Sequence, residues 1–205
     1  MHNKCTGVFS THCGVCVAGL VERVCAETGL RLSDAERCQL IGGLLARQHL
    51  IMNGSPGSRH CELAQALAML LAEGREDHVC SVSGHPWWAS GTGDVAYYAN
   101  MQIAFSEWRL VYFLAEVLAD GQETPGNRSV DRTGSYVVCI ERMSPAEIEL
   151  YFGLLPYRLA AAWQGMPGDV QVRLIGTYDS DTAPTLDART LRVAALVHMD
   201  AVGAR

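Results

Sequence analysis

The amino-acid sequence predicts a single α+β or α/β domain, in which an N-terminal layer of three helices packs on a mixed sheet of about four strands. Three observations lead to this prediction. Apolar residues recur at helical spacing through the first third of the chain, strand-like segments come later, and 205 residues can bury one substantial core. The predicted element order is ααα-β-α-β-α-β-β. The domain spans residues 1–205, and residues 121–134, which lack apolar periodicity, are a candidate internal boundary or mobile loop.

Helix caps and apolar spacing define the three N-terminal helices, which we expect over residues 11–27, 33–51 and 59–73. The second begins at a capping box, where the Ser33 hydroxyl and the Glu36 carboxylate can each bond the other residue's backbone N–H. The third is apolar on nearly every face, which predicts that it is buried. The turn-forming segment Asn53-Gly54-Ser55-Pro56-Gly57 is expected to break the chain between the second and third helices.

The rest of the chain alternates between strand and helix patterns. The continuous apolar run Tyr136-Val137-Val138-Cys139-Ile140 is typical of a buried strand. Ser144-Pro145-Ala146-Glu147 combines a capping box with proline at the first helical position, and Pro156 is expected to kink the helix that follows. We therefore expect strands over residues 95–105, 136–140, 170–174 and 191–197, and helices over residues 106–120 and 144–163. For residues 95–105, a helix through Tyr98, Met101 and Phe105 is the competing interpretation.

Composition limits the classes of partner. A formal net charge of -6 and a pI of about 5.6 argue against nucleic-acid binding, because neutralising phosphates requires clustered Lys and Arg. No apolar run approaches the roughly 18 residues of a membrane span, and no secretory leader pattern follows Met1. We therefore expect a cytoplasmic protein without nucleic-acid or membrane partners, whose eight cysteines are reduced and mostly pack as small hydrophobic residues.

A Cys-x-x-Cys motif begins the first predicted helix. Cys13-Gly14-Val15-Cys16 resembles the start of the nucleophile helix of papain-like cysteine enzymes, and the resemblance implies that Cys16 is the nucleophile. Cys5, His12, Cys13 and Cys16 could instead converge on a metal ion, although a closed zinc site normally shows two paired motifs. Packing of Cys13 and Cys16 on the buried helix face is the interpretation we favour, and no metal or cofactor is assigned.

A second candidate nucleophile opens the third predicted helix. His60-Cys61-Glu62 resembles the His-x-Glu of zinc nucleoside deaminases, but the Pro-Cys-x-x-Cys that completes their metal site is absent from this sequence. Cys61 followed by His78 resembles the order found in transglutaminase-like folds, which implies a nucleophile and a base. The position of Glu62 is explained equally well by its negative charge, which complements the positive end of the helix dipole at the start of the helix. Further along, Asp179-Ser180-Asp181-Thr182 is expected to be a polar connection between strands.

Two functional hypotheses follow. The first is a non-catalytic protein-interaction or assembly factor that binds a protein partner or a second copy through the surface His85, Pro86, Trp87 and Trp88, because two adjacent tryptophans are costly to leave in water. The second is a cysteine hydrolase or acyltransferase that uses Cys16 or Cys61 as nucleophile and a histidine as the base. His78, His85 and His198 are all candidates for the base, and His85 is the one we favour.

Overall fold

The protein is a parallel α/β structure. The computed structural model describes residues 14–46, 49–55, 58–83, 109–119, 135–162, 171–180 and 184–199. The helices are α1 (Gly14–Thr28), α2 (Asp34–Ala46), α3 (His60–Leu71), α4 (109–119), α5 (Pro145–Ile148, Glu149–Leu154 and Leu155–Ala162) and α6 (Ala188–Val193). The strands are β1 (His49–Gly54), β2 (Val79–Ser83), β3 (Ser135–Glu141), β4 (Gln171–Asp179) and β5 (Ala194–Met199).

All five strands are parallel and lie in the order β2-β3-β4-β1-β5. β1 therefore sits between β4 and β5, with Gly54 opposite Asp179 on β4 and Met199 on β5. Because the strands are parallel, all of them end at the same side of the sheet, which we call its carboxyl end. Residues that follow β1, β3 and β4 are thereby brought together although they are far apart in the sequence.

Hydrophobic residues cover both faces of the sheet, as parallel sheets require. One face packs against α1, α2 and α3, and the other packs against α4 and α5. Successive residues of β1 alternate between the two cores: Leu50 and Met52 join the first and Ile51 the second. A strand buried on both sides cannot be shifted by one residue without losing these contacts, which fixes the position of its carboxyl end.

The predicted mixed α/β class is confirmed, but the predicted mixed sheet of about four strands and the predicted element order are wrong. The sheet is wholly parallel, and β1 separates the second helix from the third. The sequence pattern extends the second helix to Ile51, whereas α2 ends at Ala46. The reason is that Leu50, Ile51 and Met52 are all fully buried, and a short apolar run does not distinguish a central strand from a buried helix.

The last predicted strand also starts too early. Residues Ala188–Val193 form α6, and β5 begins only at Ala194. The short helix is capped by Asp187, whose carboxylate accepts a hydrogen bond from the Thr190 N–H at 2.7 Å. The cap stabilises a short helix at the start of a segment whose alternating apolar pattern predicts a strand.

Both predicted capping boxes are confirmed. The backbone N–H of Ser33 donates to Glu36 Oε2 at 2.6 Å, and that of Ser144 donates to Glu147 Oε2 at 2.7 Å. A π-helical turn, Glu149–Leu154, comes two residues before Pro156, where we expect a kink, and the kink itself stays a prediction.

The strand predicted over 95–105 and the loop predicted over 121–134 lie outside the described residues, and the helix predicted over 106–120 is described only as α4. Among the described helices, none is both long enough and apolar enough to cross a membrane.

Candidate functional site

The candidate site lies at the carboxyl end of the sheet, between the ends of β1 and β4. From β1 the chain crosses to β2 at one edge of the sheet, whereas from β4 it crosses to β5 at the other edge. In open α/β sheets, the crevice beside such a reversal of strand order is the usual ligand-binding position. The residues that follow β1 and β4 therefore occupy the usual position of a ligand-binding site in such sheets.

The segment that joins β1 to α3 has the position of a phosphate-binding loop but not its sequence. Such loops have the pattern Gly-x-x-x-x-Gly-Lys-Ser/Thr between a strand and a helix. Here Gly54 supplies the first glycine, while Arg59, His60 and Cys61 stand where the second glycine, the lysine and the hydroxyl residue are expected. Arg59 has a φ of 57°, in the left-handed region that favours glycine. The backbone at Arg59 thus has a conformation that favours glycine, although the residue in this sequence is arginine.

His60 is buried and bonded at both ring nitrogens. Its Nδ1 lies 2.6 Å from Ser58 Oγ, and its Nε2 lies 2.9 Å from Asp179 Oδ1. Desolvation by burial lowers the pKa of His60, against the opposing effect of the nearby Asp179 carboxylate. The neutral ring carries one proton, so Nε2–H donates to Asp179 and Nδ1 accepts from the Ser58 hydroxyl.

Gly54 is required for this packing. A Cβ atom at Gly54 would collide with Ser58 Oγ and would lie 2.9 Å from His60 Nδ1. The side chains of Ser58 and His60 therefore fold back against the end of β1, into space that is open only because residue 54 has no side chain.

Cys61 is half-buried beside His60. Its Sγ lies 3.8 Å from His60 Nε2 and 3.4 Å from Thr177 Oγ1, which also accepts a hydrogen bond from the backbone N–H of Arg142 at 2.8 Å. Desolvation by burial is the largest influence on this thiol and raises its pKa. At neutral pH Cys61 is therefore a thiol rather than a thiolate.

Carboxylates and arginines surround these groups. Glu141 accepts a hydrogen bond from Gln65 Nε2 at 2.6 Å, and Asp179 Oδ2 lies 3.9 Å from the Nε of Arg142. The Arg142 side chain is 74% exposed, so its interaction with Asp179 is screened by water. The site therefore presents a neutral imidazole where a phosphate-binding loop presents a lysine. Its two arginines, Arg142 and Arg59, lie beside the carboxylates of Asp179 and Glu62.

The structure places the predicted site residues in different regions. Cys61 lies in the carboxyl-end site, whereas Cys16 lies half-buried on α1. His78 precedes β2 at the opposite, amino end of the sheet, where its ring stacks on Tyr136 with centroids 4.0 Å apart. The remaining predicted site residues, Cys5, His12, Cys13, His85, Pro86, Trp87 and Trp88, lie outside the described residues.

Sequence reasoning missed Gly54, Ser58 and Asp179 as parts of one site. Asp179, expected in a polar connection, ends β4 and bonds His60. These residues could have been identified if residues 49–54 had been recognised as a strand. A buried strand followed by a glycine-containing loop and a helix is typical of the ligand-binding end of a parallel sheet. The prediction of a helix through Ile51 removed that signal.

No family model matches the chain, and no curated protein matches it. Among solved structures, the chain is similar to the structure of PCH-2 from C. elegans, at 16% sequence identity and a TM-score of 0.37. The match covers 91% of this chain and 41% of that chain, so the present chain spans less than half of the length of that protein. A TM-score at this level carries no argument about function.

Proposed function

We propose that this chain is a non-catalytic protein-interaction or assembly factor, built on a parallel α/β scaffold that does not bind phosphate. The observation that carries the proposal is the state of His60, which stands at the lysine position of the loop but is buried and hydrogen-bonded to Ser58 and Asp179. A neutral imidazole adds no positive charge for a phosphate group, and the Asp179 carboxylate repels one.

The geometry at the carboxyl end of the sheet gives no support to Cys61 and His60 as a catalytic pair. In a catalytic triad, one histidine nitrogen faces the nucleophile while the other is held by the carboxylate. In this protein the same atom, His60 Nε2, faces both Asp179 Oδ1 at 2.9 Å and Cys61 Sγ at 3.8 Å. The remaining nitrogen is bonded to Ser58, so the ring cannot take a proton from Cys61 while Asp179 orients it.

An exposed apolar strip on α5 and α6 supplies a candidate interaction surface. We define the apolar strip as Leu150, Leu154, Tyr157 and Leu191, which are 52%, 37%, 43% and 48% exposed. The three α5 residues recur at helical spacing and share one face. Tyr157 donates a hydrogen bond to the Arg189 carbonyl oxygen at 3.3 Å, which ties α5 to α6. Exposed apolar residues grouped on neighbouring helices and flanked by charged residues are typical of a surface that binds another protein.

The occupant that we propose for the apolar strip is a second copy of this chain. A two-fold dimer needs a surface that is complementary to itself. The charges beside the apolar strip are complementary to each other. Exposed Glu149 lies beside it on α5, and exposed Arg189 and Arg192 lie beside it on α6. Two strips in opposite orientation can therefore join apolar to apolar and acidic to basic.

Sedimentation velocity over a wide range of protein concentrations tests this proposal. We expect the wild-type protein to associate as its concentration rises, and we expect Leu154→Glu to remain monomeric because the new carboxylate loses its water in the interface. Leu45→Glu is the matched control, since Leu45 is 42% exposed on α2 at the opposite face. A wild-type protein that stays monomeric throughout, or equal association of both variants, would contradict the proposal.

A further inference from the structure

Three potential metal ligands of different chemistry meet at the carboxyl end of the sheet. One ligand atom each from His60, Cys61 and Asp179 lies within 4.8 Å of the other two. We propose that these three residues bind a zinc ion, which occupies the place where other proteins with this strand-loop-helix arrangement bind phosphate. This inference is independent of the self-association proposed above.

The distances among the ligand atoms suit a tetrahedral ion. Zinc bonds of about 2.0 to 2.3 Å place a nitrogen and an oxygen ligand about 3.4 Å apart, and a nitrogen and a sulfur ligand about 3.6 Å apart. His60 Nε2 lies 2.9 Å from Asp179 Oδ1 and 3.8 Å from Cys61 Sγ. These two pairs therefore need shifts of only about 0.5 Å to match the tetrahedral values. The third pair, Cys61 and Asp179, has its ligand atoms within 4.8 Å of each other.

The contact between Ser58 and His60 Nδ1, which argues against a catalytic triad, is one that zinc coordination requires. Metal-bound histidines use one ring nitrogen for the ion, while the other nitrogen is held by a hydrogen-bond partner that sets the ring orientation. Ser58 Oγ, 2.6 Å from His60 Nδ1, is in that position. When Nε2 binds zinc, the ring proton moves to Nδ1 and is donated to Ser58 Oγ, so the neutral imidazole keeps one hydrogen-bond partner and gains the ion.

Thr177 is the hydrogen-bond partner of the Cys61 sulfur, as Ser58 is of the His60 ring. Zinc binds the thiolate, so binding releases the Cys61 thiol proton to solvent, and no electron is transferred. The Thr177 hydroxyl lies 3.4 Å from Cys61 Sγ and accepts the Arg142 N–H, which leaves its own proton free to donate to the thiolate. A nitrogen, a sulfur and an oxygen ligand together favour zinc over magnesium or calcium, which prefer oxygen.

The ion would join two separate parts of the fold. His60 and Cys61 begin α3, whereas Asp179 ends β4. With three protein ligands, the fourth position is left for water or for a side chain supplied by another molecule. The zinc ion would thereby hold the end of β4 against the start of α3.

Titration of the metal-free full chain with Co²⁺ tests the proposal, because a tetrahedral cobalt site with a thiolate ligand has intense visible and near-ultraviolet absorption. We expect one cobalt per chain with a sulfur charge-transfer band, which stoichiometric zinc displaces. Cys61→Ser should abolish that band, and Asp179→Asn should weaken binding at least 10-fold. Ser58→Ala should weaken binding about 10- to 100-fold, the usual effect of removing the partner of a ligating histidine.

Two control variants keep the test specific. Cys38→Ser changes an exposed cysteine on α2, and Cys16→Ser changes the cysteine of the N-terminal motif; both should leave the titration unchanged. Circular dichroism confirms that each variant is folded. Absence of the band in the wild type, its persistence in Cys61→Ser, its loss in Cys16→Ser, or unchanged affinity in Asp179→Asn would each overturn the proposal.

Discussion

The imidazole of His60, which begins α3, is bonded through Nε2 to the carboxylate of Asp179, which ends β4, at 2.9 Å. The imidazole is held between Asp179 and Ser58 and is buried, and burial lowers its pKa, so the ring is neutral.

Substitution of Gly54 tests whether the loop is packed as tightly as the structure indicates. Gly54→Ala should destabilise the protein by about 1–3 kcal/mol, because the added methyl group overlaps Ser58 Oγ and crowds His60 Nδ1. Urea unfolding measures the change. Gly42→Ala is the control, since nothing lies within 4 Å of a Cβ at that position on α2. Alanine there should stabilise by about 0.5–1 kcal/mol, and a Gly54 variant as stable as the wild type would contradict the packing.

A second prediction concerns pH and His49, at the amino end of β1. Burial, aided by the positive charge of Arg173, lowers the pKa of His49 from 6.5 to about 3. Between these values the unfolded chain binds a proton that the folded protein does not bind, so stability falls as pH falls. The loss from this residue is on the order of 1.4 kcal/mol per pH unit below 6.5, and it ends near pH 3.

His49→Asn isolates that contribution. The Leu174 N–H donates to His49 Nδ1 at 3.1 Å, and the asparagine side-chain oxygen can accept the same hydrogen bond without titrating. Urea unfolding at several pH values should therefore give a shallower loss of stability below pH 6.5 for His49→Asn than for the wild type. Parallel pH profiles for the two proteins would mean that His49 is protonated equally in both states.

Cysteine reactivity distinguishes the proposed function from the nucleophile hypothesis. Burial raises the pKa of Cys61, so its reaction with iodoacetamide in the native protein should be slower than that of exposed Cys38. Cys139, buried in β3 with a pKa raised to about 12, should react only after unfolding. Mass spectrometry of the labelled peptides measures the order. Selective early labelling of Cys61 would favour the cysteine-enzyme alternative instead.

Local signals were sufficient for part of this fold. The Ser33 and Ser144 caps are formed by side chains three residues away, and the apolar run of β3 needs no distant partner to be recognised. β1 could not be recognised in this way, because its pattern becomes that of a strand only when β4 and β5 pair with it.

The candidate site was less predictable, because it is made of long-range contacts. Thr177 lies 116 positions from Cys61, and no local pattern relates them. The sequence predicts Cys61 as a candidate nucleophile from its position at the start of a helix, and His78 as a base for it. The parallel sheet instead places Asp179 beside the neighbouring His60, and His78 at the other end. Strand order, which composition and periodicity do not encode, decides which residues meet.

We propose that the carboxyl-end site does not bind phosphate, and isothermal titration calorimetry with ATP and magnesium is the test. Asp179→Asn serves as a comparison because that variant removes the repelling carboxylate. We expect no measurable heat of binding for the wild-type protein, and no hydrolysis of ATP in the same samples. Saturable binding of ATP by the wild type, lost in His60→Ala, would contradict the proposal and would show that the loop between β1 and α3 binds phosphate.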